Sequence, residues 1–174
     1  MSRATFVKAA RKDNPVAKVG ESYWWWESGF RGPKMYSKTQ PRPSQTASGD
    51  YMPVILSIQE GFNDCRASWE SDYNKDNHDA LIDEIQAQVE DWGTQIEDLG
   101  SEQGDKHDNM PEGLQQGDSG QMLEERRDCC ESVSSDLQVD FDSHKLESLD
   151  EGADSQESLT SLLDEIDGIL SNLQ

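Results

Sequence analysis

The pattern of apolar positions changes character near residue 50. From Tyr51 onward, Ile55, Ile58, Phe62, Cys65 and Trp69 recur at spacings of three and four, which is one stripe along a helix over about 52–71. Asp50 suits its N-cap and Pro53 its first turn. Segment 71–78 is polar and breaks the period. Ile82, Ile85, Val89, Trp92, Ile96 and Leu99 then form a second stripe over 79–99, with Gly100 as a stop signal. Two such stripes joined by a short break predict an antiparallel helical hairpin of coiled-coil character. Segment 101–118, with three glycines and Pro111, reads as a loop. A third helix is expected over 119–138, with a weaker stripe of Met122, Cys129, Val133 and Leu137 interrupted by Arg126. Segment 139–154 is acidic and serine-rich and reads as a disordered linker. The last helix, 155–174, opens on Asp154 with Glu157 three residues later, the spacing of a capping box. It carries Leu159, Leu162, Leu163, Ile166, Ile169, Leu170 and Leu173 on one face.

Before residue 50 the helical period is absent. Segment 1–20 reads as irregular, and 40–50 as a linker. Between them, the aromatic runs 21–28 and 34–39 flank a Gly/Pro cluster, which predicts a two-stranded hairpin. Such a hairpin needs packing against something else to be stable. The expected fold is mainly α: a helical hairpin or small bundle with a short N-terminal β-hairpin and acidic disordered segments. Its expected parts are a head (1–46), a helical scaffold (50–138), an acidic linker (139–154) and a terminal amphipathic helix (155–174).

Composition sharpens this picture. Of 174 residues only 33% are apolar, and the formal net charge is −21, so one large core is not expected. Residues 1–43 hold nine Lys/Arg against three Asp/Glu, whereas 44–174 hold six against 33. A basic head therefore precedes a strongly acidic body. The chain has no apolar run long enough for a transmembrane helix, and its basic start lacks the apolar stretch of a secretory signal, so no membrane partner is expected. Cys65 and the adjacent Cys129 and Cys130 have no disulfide-framework spacing, which fits a reducing cytoplasm.

Candidate chemistry is sparse. In the head, Arg11, Lys12, Lys18, Trp24, Trp26, Arg31, Lys34 and Lys38 interleave cations with rings, the pairing that neutralises phosphates and stacks on bases. Strand alternation places Tyr23 and Trp25 on one face and Trp24 and Trp26 on the other. The competing reading is that the tryptophans pack inward and the cations answer the acidic body. Asp72, Asn74, Asp76 and Asp83 echo a calcium loop, but Asn77 replaces its glycine and Asp83 its bidentate glutamate, so a polar turn is the better reading. His78, His107 and His144 have no metal-ligand spacing with the cysteines. No nucleophile–base constellation, phosphate loop or dinucleotide fingerprint appears, so the expectation is a non-enzyme without cofactor or metal. Dense carboxylates on rigid helices can imitate nucleic-acid phosphates and occupy a protein's basic groove; the alternative is a merely solubilising surface. The terminal helix either completes the chain's own bundle or serves self-association or partner docking.

Two stretches, RATFVKAARKD…GESYWWW…YSKTQPRPSQ and DNMPEGLQQGDSGQMLEERRD, resemble an uncharacterised family of small tailed-phage proteins, in which a basic tryptophan-rich head precedes helical segments. The resemblance covers roughly residues 3–46 and 108–128. It implies a phage origin and the host cytoplasm as the place of work, and it implies no activity. The combined expectation is a phage accessory protein that binds a host or phage protein, as an inhibitor or DNA mimic in host takeover. The alternative is nucleic-acid binding through the head.

Overall fold

A computed structural model describes residues 2–28, 32–149 and 154–173. The chain is mainly helical with a small antiparallel sheet. It divides into two compact units, residues 1–60 and 61–174.

The first unit is built on three strands, β1 (Thr5–Val7), β2 (Tyr23–Glu27) and β3 (Lys34–Ser37), in the order β1-β2-β3. The expected hairpin is β2 and β3, with Trp25 opposite Tyr36 and Trp26 opposite Met35. Strand β1 is a correction: it lies in the segment read as irregular and pairs Phe6 with Trp24. Its signal is only three residues long, too short for alternation to register. The loop from β1 to β2 is also ordered by local bonds. Asn14 Oδ1 accepts from the amides of Val16 (3.0 Å) and Ala17 (2.8 Å), and Asp13 Oδ1 accepts from Val19 N (2.8 Å). Gly20, at φ +88°, reaches a left-handed conformation that lets its amide donate to Ala10 O at 2.9 Å. A short helix, α1 (Pro43–Thr46), occupies part of the expected linker. Ser44 fixes it by donating through N (3.0 Å) and Oγ (2.6 Å) to the carboxylate of Glu60.

Helix α2 (Tyr51–Asp72) runs through both units. Its stripe residues Ile55, Ile58, Phe62 and Trp69 are buried, while Cys65 is half-buried. A 3₁₀ turn, Lys75–Asn77, leads into α3 (His78–Asp108). The two helices meet antiparallel within the second unit. Phe62 packs edge-on to Trp92 (centroids 6.0 Å apart), and Trp69 Nε1 donates to Glu84 Oε1 at 3.0 Å. The calcium-like residues serve this turn: Asn74 Oδ1 accepts from Asp76 N (2.7 Å), and Asn77 Nδ2 donates to Asp72 O (2.9 Å). Among the described residues no group of His, Cys, Asp and Glu is placed to hold a metal.

Gly100 does not stop α3, which continues to Asp108 and absorbs half of the expected loop. Gly100 is instead a contact point: a Cβ there would lie 2.8 Å from Cβ of Cys130 on α5 (Asp118–Asp136). Gly104, one turn on, lies against the Arg127 side chain. Between them, α4 (Glu112–Gln115) turns the chain. The buried stripe of α5 and its exit is Leu123, Cys130, Val133 and Leu137. Met122 is exposed and Cys129 half-buried, so at these two positions the buried register lies one residue further on than expected. Arg126 is not on the buried stripe, which is why it appeared to interrupt it.

The segment expected to be a disordered acidic linker is held in place through residue 149; residues 150–153 lie outside the described residues. Its 3₁₀ turn, Phe141–His144, buries Phe141. His78 Nε2 donates to His144 O (2.8 Å), and His144 Nδ1 bonds Ser158 Oγ (3.0 Å). Leu146 N donates to Asp79 Oδ1 (2.8 Å), and Lys145 Nζ reaches Asp83 (3.0 Å) and Asp142 (2.9 Å). Helix α6 (Ser155–Leu170) follows, capped by Asp154 Oδ1 on Gln156 N (2.9 Å). Its Leu159, Leu162, Leu163, Ile166 and Leu170 are buried, as is Leu173 beyond it, while Ile169 is half-buried. This face is covered within the chain, as the bundle-completing reading of the terminal helix expects.

Candidate functional site

The head places its candidate residues unequally. Trp24 and Trp26 share a sheet face with Phe6 and Met35, because directly opposed residues of paired strands point the same way. Trp26 is 4% exposed, and its Nε1 donates to Gln45 O at 2.9 Å, so it is a core residue and not a ligand contact. Trp24 packs on the exposed Phe6, centroids 5.0 Å apart. Lys34 Nζ lies 4.7 Å from the centre of the Trp25 ring. Lys38 pairs with Glu21, and that hydrogen bond, followed by one from Lys18 N, holds the Glu21 carboxyl below its usual range. Lys18 is exposed, and Arg31 lies outside the described residues.

Arg11 and Lys12 come together with Tyr23 and Tyr36. They border a groove of about 370 Å³ in the first unit, whose other walls include Val7, Asn14, Tyr23 and Tyr36. The two tyrosine rings are 6.0 Å apart. Alternation along β2 separated the two aromatic faces correctly, but nothing in sequence says which face turns inward.

The second unit presents the opposite charge. Residues 61–174 carry 31 Asp/Glu and six Lys/Arg, while residues 1–60 carry five and nine. Carboxylates engage several of these cations. Arg66 reaches Glu70 (2.9 Å) and Asp164 (2.6 Å), and Arg127 reaches Asp128 (2.7 Å). Lys106 sits 3.7 Å from Glu102, and Lys145 holds the two aspartates named above. Hydrogen bonds to these carboxylates push Arg66, Arg127 and Lys145 further toward their charged forms. Most carboxylates therefore remain in excess on the surface.

Helix α3 shows how the folding pattern arranges that excess. Its stripe Ile82, Ile85, Val89, Trp92, Ile96 and Leu99 is buried at a heptad-like period. The same period repeats on the outside: Asp83-Glu84, Glu90-Asp91 and Glu97-Asp98 are exposed pairs one heptad apart, or about 10.5 Å along the axis. Ten carboxylates over the 31 residues of α3 amount to about one per 4.6 Å, against roughly 3.4 Å per phosphate along one DNA strand. No helix among the described residues is long and apolar enough to cross a membrane. Neither a protein family, a curated protein nor a solved structure matches this chain.

Proposed function

We propose that this chain is a non-enzymatic phage accessory protein that binds a basic host or phage protein in the host cytoplasm. In this reading its acidic helices take the place of nucleic-acid phosphates and inhibit the protein they occupy. The observation that carries it is the outer face of α3, where exposed carboxylate pairs repeat every heptad on a rigid, well-packed helix. A disordered acidic tail would give net charge without fixed spacing; a helix anchored by six buried side chains gives both. The phage setting rests on the resemblance of residues 3–46 and 108–128 described above.

The test is capture on the immobilised chain from host lysate, followed by elution with rising salt or with duplex DNA. Nucleic-acid-binding proteins should be retained at low salt and released by duplex DNA. Retention that ignores both salt and DNA counts against phosphate mimicry.

A second reading is nucleic-acid binding by the head. It is favoured by the groove that joins Arg11 and Lys12 to Tyr23 and Tyr36. Under it, Tyr23→Ala or Tyr36→Ala weakens binding of single-stranded DNA, whereas Trp24→Ala leaves it nearly unchanged.

A further inference from the structure

Within the second unit a groove of about 520 Å³ opens between α3 and the end of α5. Its floor is apolar, formed by the buried Val89, Leu137 and Phe141. Its α3 rim carries the exposed Glu90 and Glu97, about 10.5 Å apart along the helix. Glu90 is braced by Gln86, whose Nε2 donates to it at 2.9 Å. The opposite side is the last turn of α5, the negative end of that helix's dipole. Gly93 sits between the two glutamates, and a Cβ there would meet nothing within 4 Å, so the helix is notched where the groove is open.

We propose that this groove receives an arginine side chain of the basic protein partner. This rests on the reading above and gives it a point of anchorage. The argument is charge complementarity over an apolar floor. Two carboxylates and a helix C-terminus set a negative potential that repels phosphate and attracts a cation. The floor covers the methylene stem of a long basic side chain, which buries its carbons while its head stays at the polar rim. A guanidinium suits this better than an ammonium: it is more weakly hydrated, so it gives up less on entering a half-apolar groove, and its planar fork matches carboxylate geometry. In this groove general attraction by the α3 carboxylates becomes a seated contact, because the apolar floor holds the stem.

The test is a chemical-shift titration of the full chain with the blocked tripeptide Gly-Arg-Gly, its lysine and citrulline counterparts, and hexa-arginine. The arginine tripeptide should shift the amides around Gly93, Leu137 and Val139 first. The citrulline peptide should not bind, and the lysine peptide should bind several-fold more weakly. Gly93→Leu, which fills the notch without touching charge, should weaken the tripeptide at least tenfold, as should the Glu90→Gln/Glu97→Gln double variant. Gly93→Ala, the smaller filler, should have an intermediate effect and should melt no lower than the parent. Glu165→Gln, on α6, should have no effect. Shifts spread evenly over the acidic helices, an indifferent Gly93→Leu, equal affinity for lysine, or concentration-dependent shifts at Gly93 without any peptide would each overturn the arginine site. If hexa-arginine still binds in those cases, the acidic-surface reading stands without the groove. If hexa-arginine fails at low salt, both fall.

Discussion

At the scale of single residues, two helical glycines of α3 with the same intrinsic helix penalty sit in opposite environments. Replacing an exposed helical glycine by alanine gains about 1 kcal/mol in helix propensity. At Gly93 nothing opposes that gain, so Gly93→Ala should raise the melting temperature by a few degrees. At Gly100 the new methyl would stand 2.8 Å from Cβ of Cys130, and pushing α5 away costs about 1–3 kcal/mol, which outweighs the gain. Gly100→Ala should therefore melt lower than the parent in the same thermal scan. Equal shifts in one direction would show that the α3–α5 approach is not close. The cysteines give a second check. Burial first, then the charges of Asp64 and Glu84, push the Cys65 thiol up, so less thiolate is present at neutral pH. Its alkylation, followed by peptide mass spectrometry, should be slower than that of free cysteine at pH 7 and should keep accelerating above the usual thiol range. Cys130, fully buried, should label only when the fold opens.

At the scale of elements, the turn Phe141–His144 is where sequence and structure part most clearly. Long amphipathic helices were legible because many side chains repeat one period: the stripes of α2, α3 and α6 fall where spacing placed them, and Asp154 caps α6. The turn has no period. It is held by one buried ring, one carbonyl bonded to His78, and a lysine between two aspartates, and such contacts between distant residues leave no mark in local composition. The same limit applies to the groove, because Glu90, Glu97, Leu137 and Phe141 are assembled only when α5 folds onto α3. It applies to Gly100 too: a glycine after an apolar stripe signals a helix end or a close helix contact, and only the packing distinguishes them. Acidic, serine-rich composition was mistaken for disorder because charge density says nothing about the single aromatic that anchors a segment. Phe141→Ala should therefore cost about 3–5 kcal/mol and expose residues 139–149 to rapid hydrogen exchange. Lys145→Ala removes ion pairs whose carboxylates are open to water and should lower the melting temperature much less than Phe141→Ala. If the two variants melt alike, the turn is held by charge and not by the ring.

At the scale of the whole molecule, two electrostatic effects of opposite sign compete, and salt separates them. The ion pairs of Arg66, Lys106, Arg127 and Lys145 stabilise the fold, and added salt weakens them. Each is at least partly open to water, and such pairs contribute little to stability. Against them stands the mutual repulsion of 31 carboxylates facing six cations in residues 61–174, many of them on adjacent helical positions. Repulsion at this density is long-ranged at low ionic strength, with a screening length of roughly 30 Å at 0.01 M against about 8 Å at 0.15 M. Repulsion should win. The melting temperature of the free chain should rise from low to physiological salt, measured by circular dichroism. A cationic partner should do the reverse. It neutralises the same carboxylates and binds them more tightly where folding holds them close together than in the unfolded chain, so it stabilises by that difference in affinity, and salt weakens its binding. In the presence of hexa-arginine the increase in melting temperature over the free chain should accordingly be largest at low salt and fade as salt is added. A free chain whose melting temperature falls with salt would mean that the ion pairs dominate. It would remove the premise that the helices hold uncompensated charge ready for a basic partner.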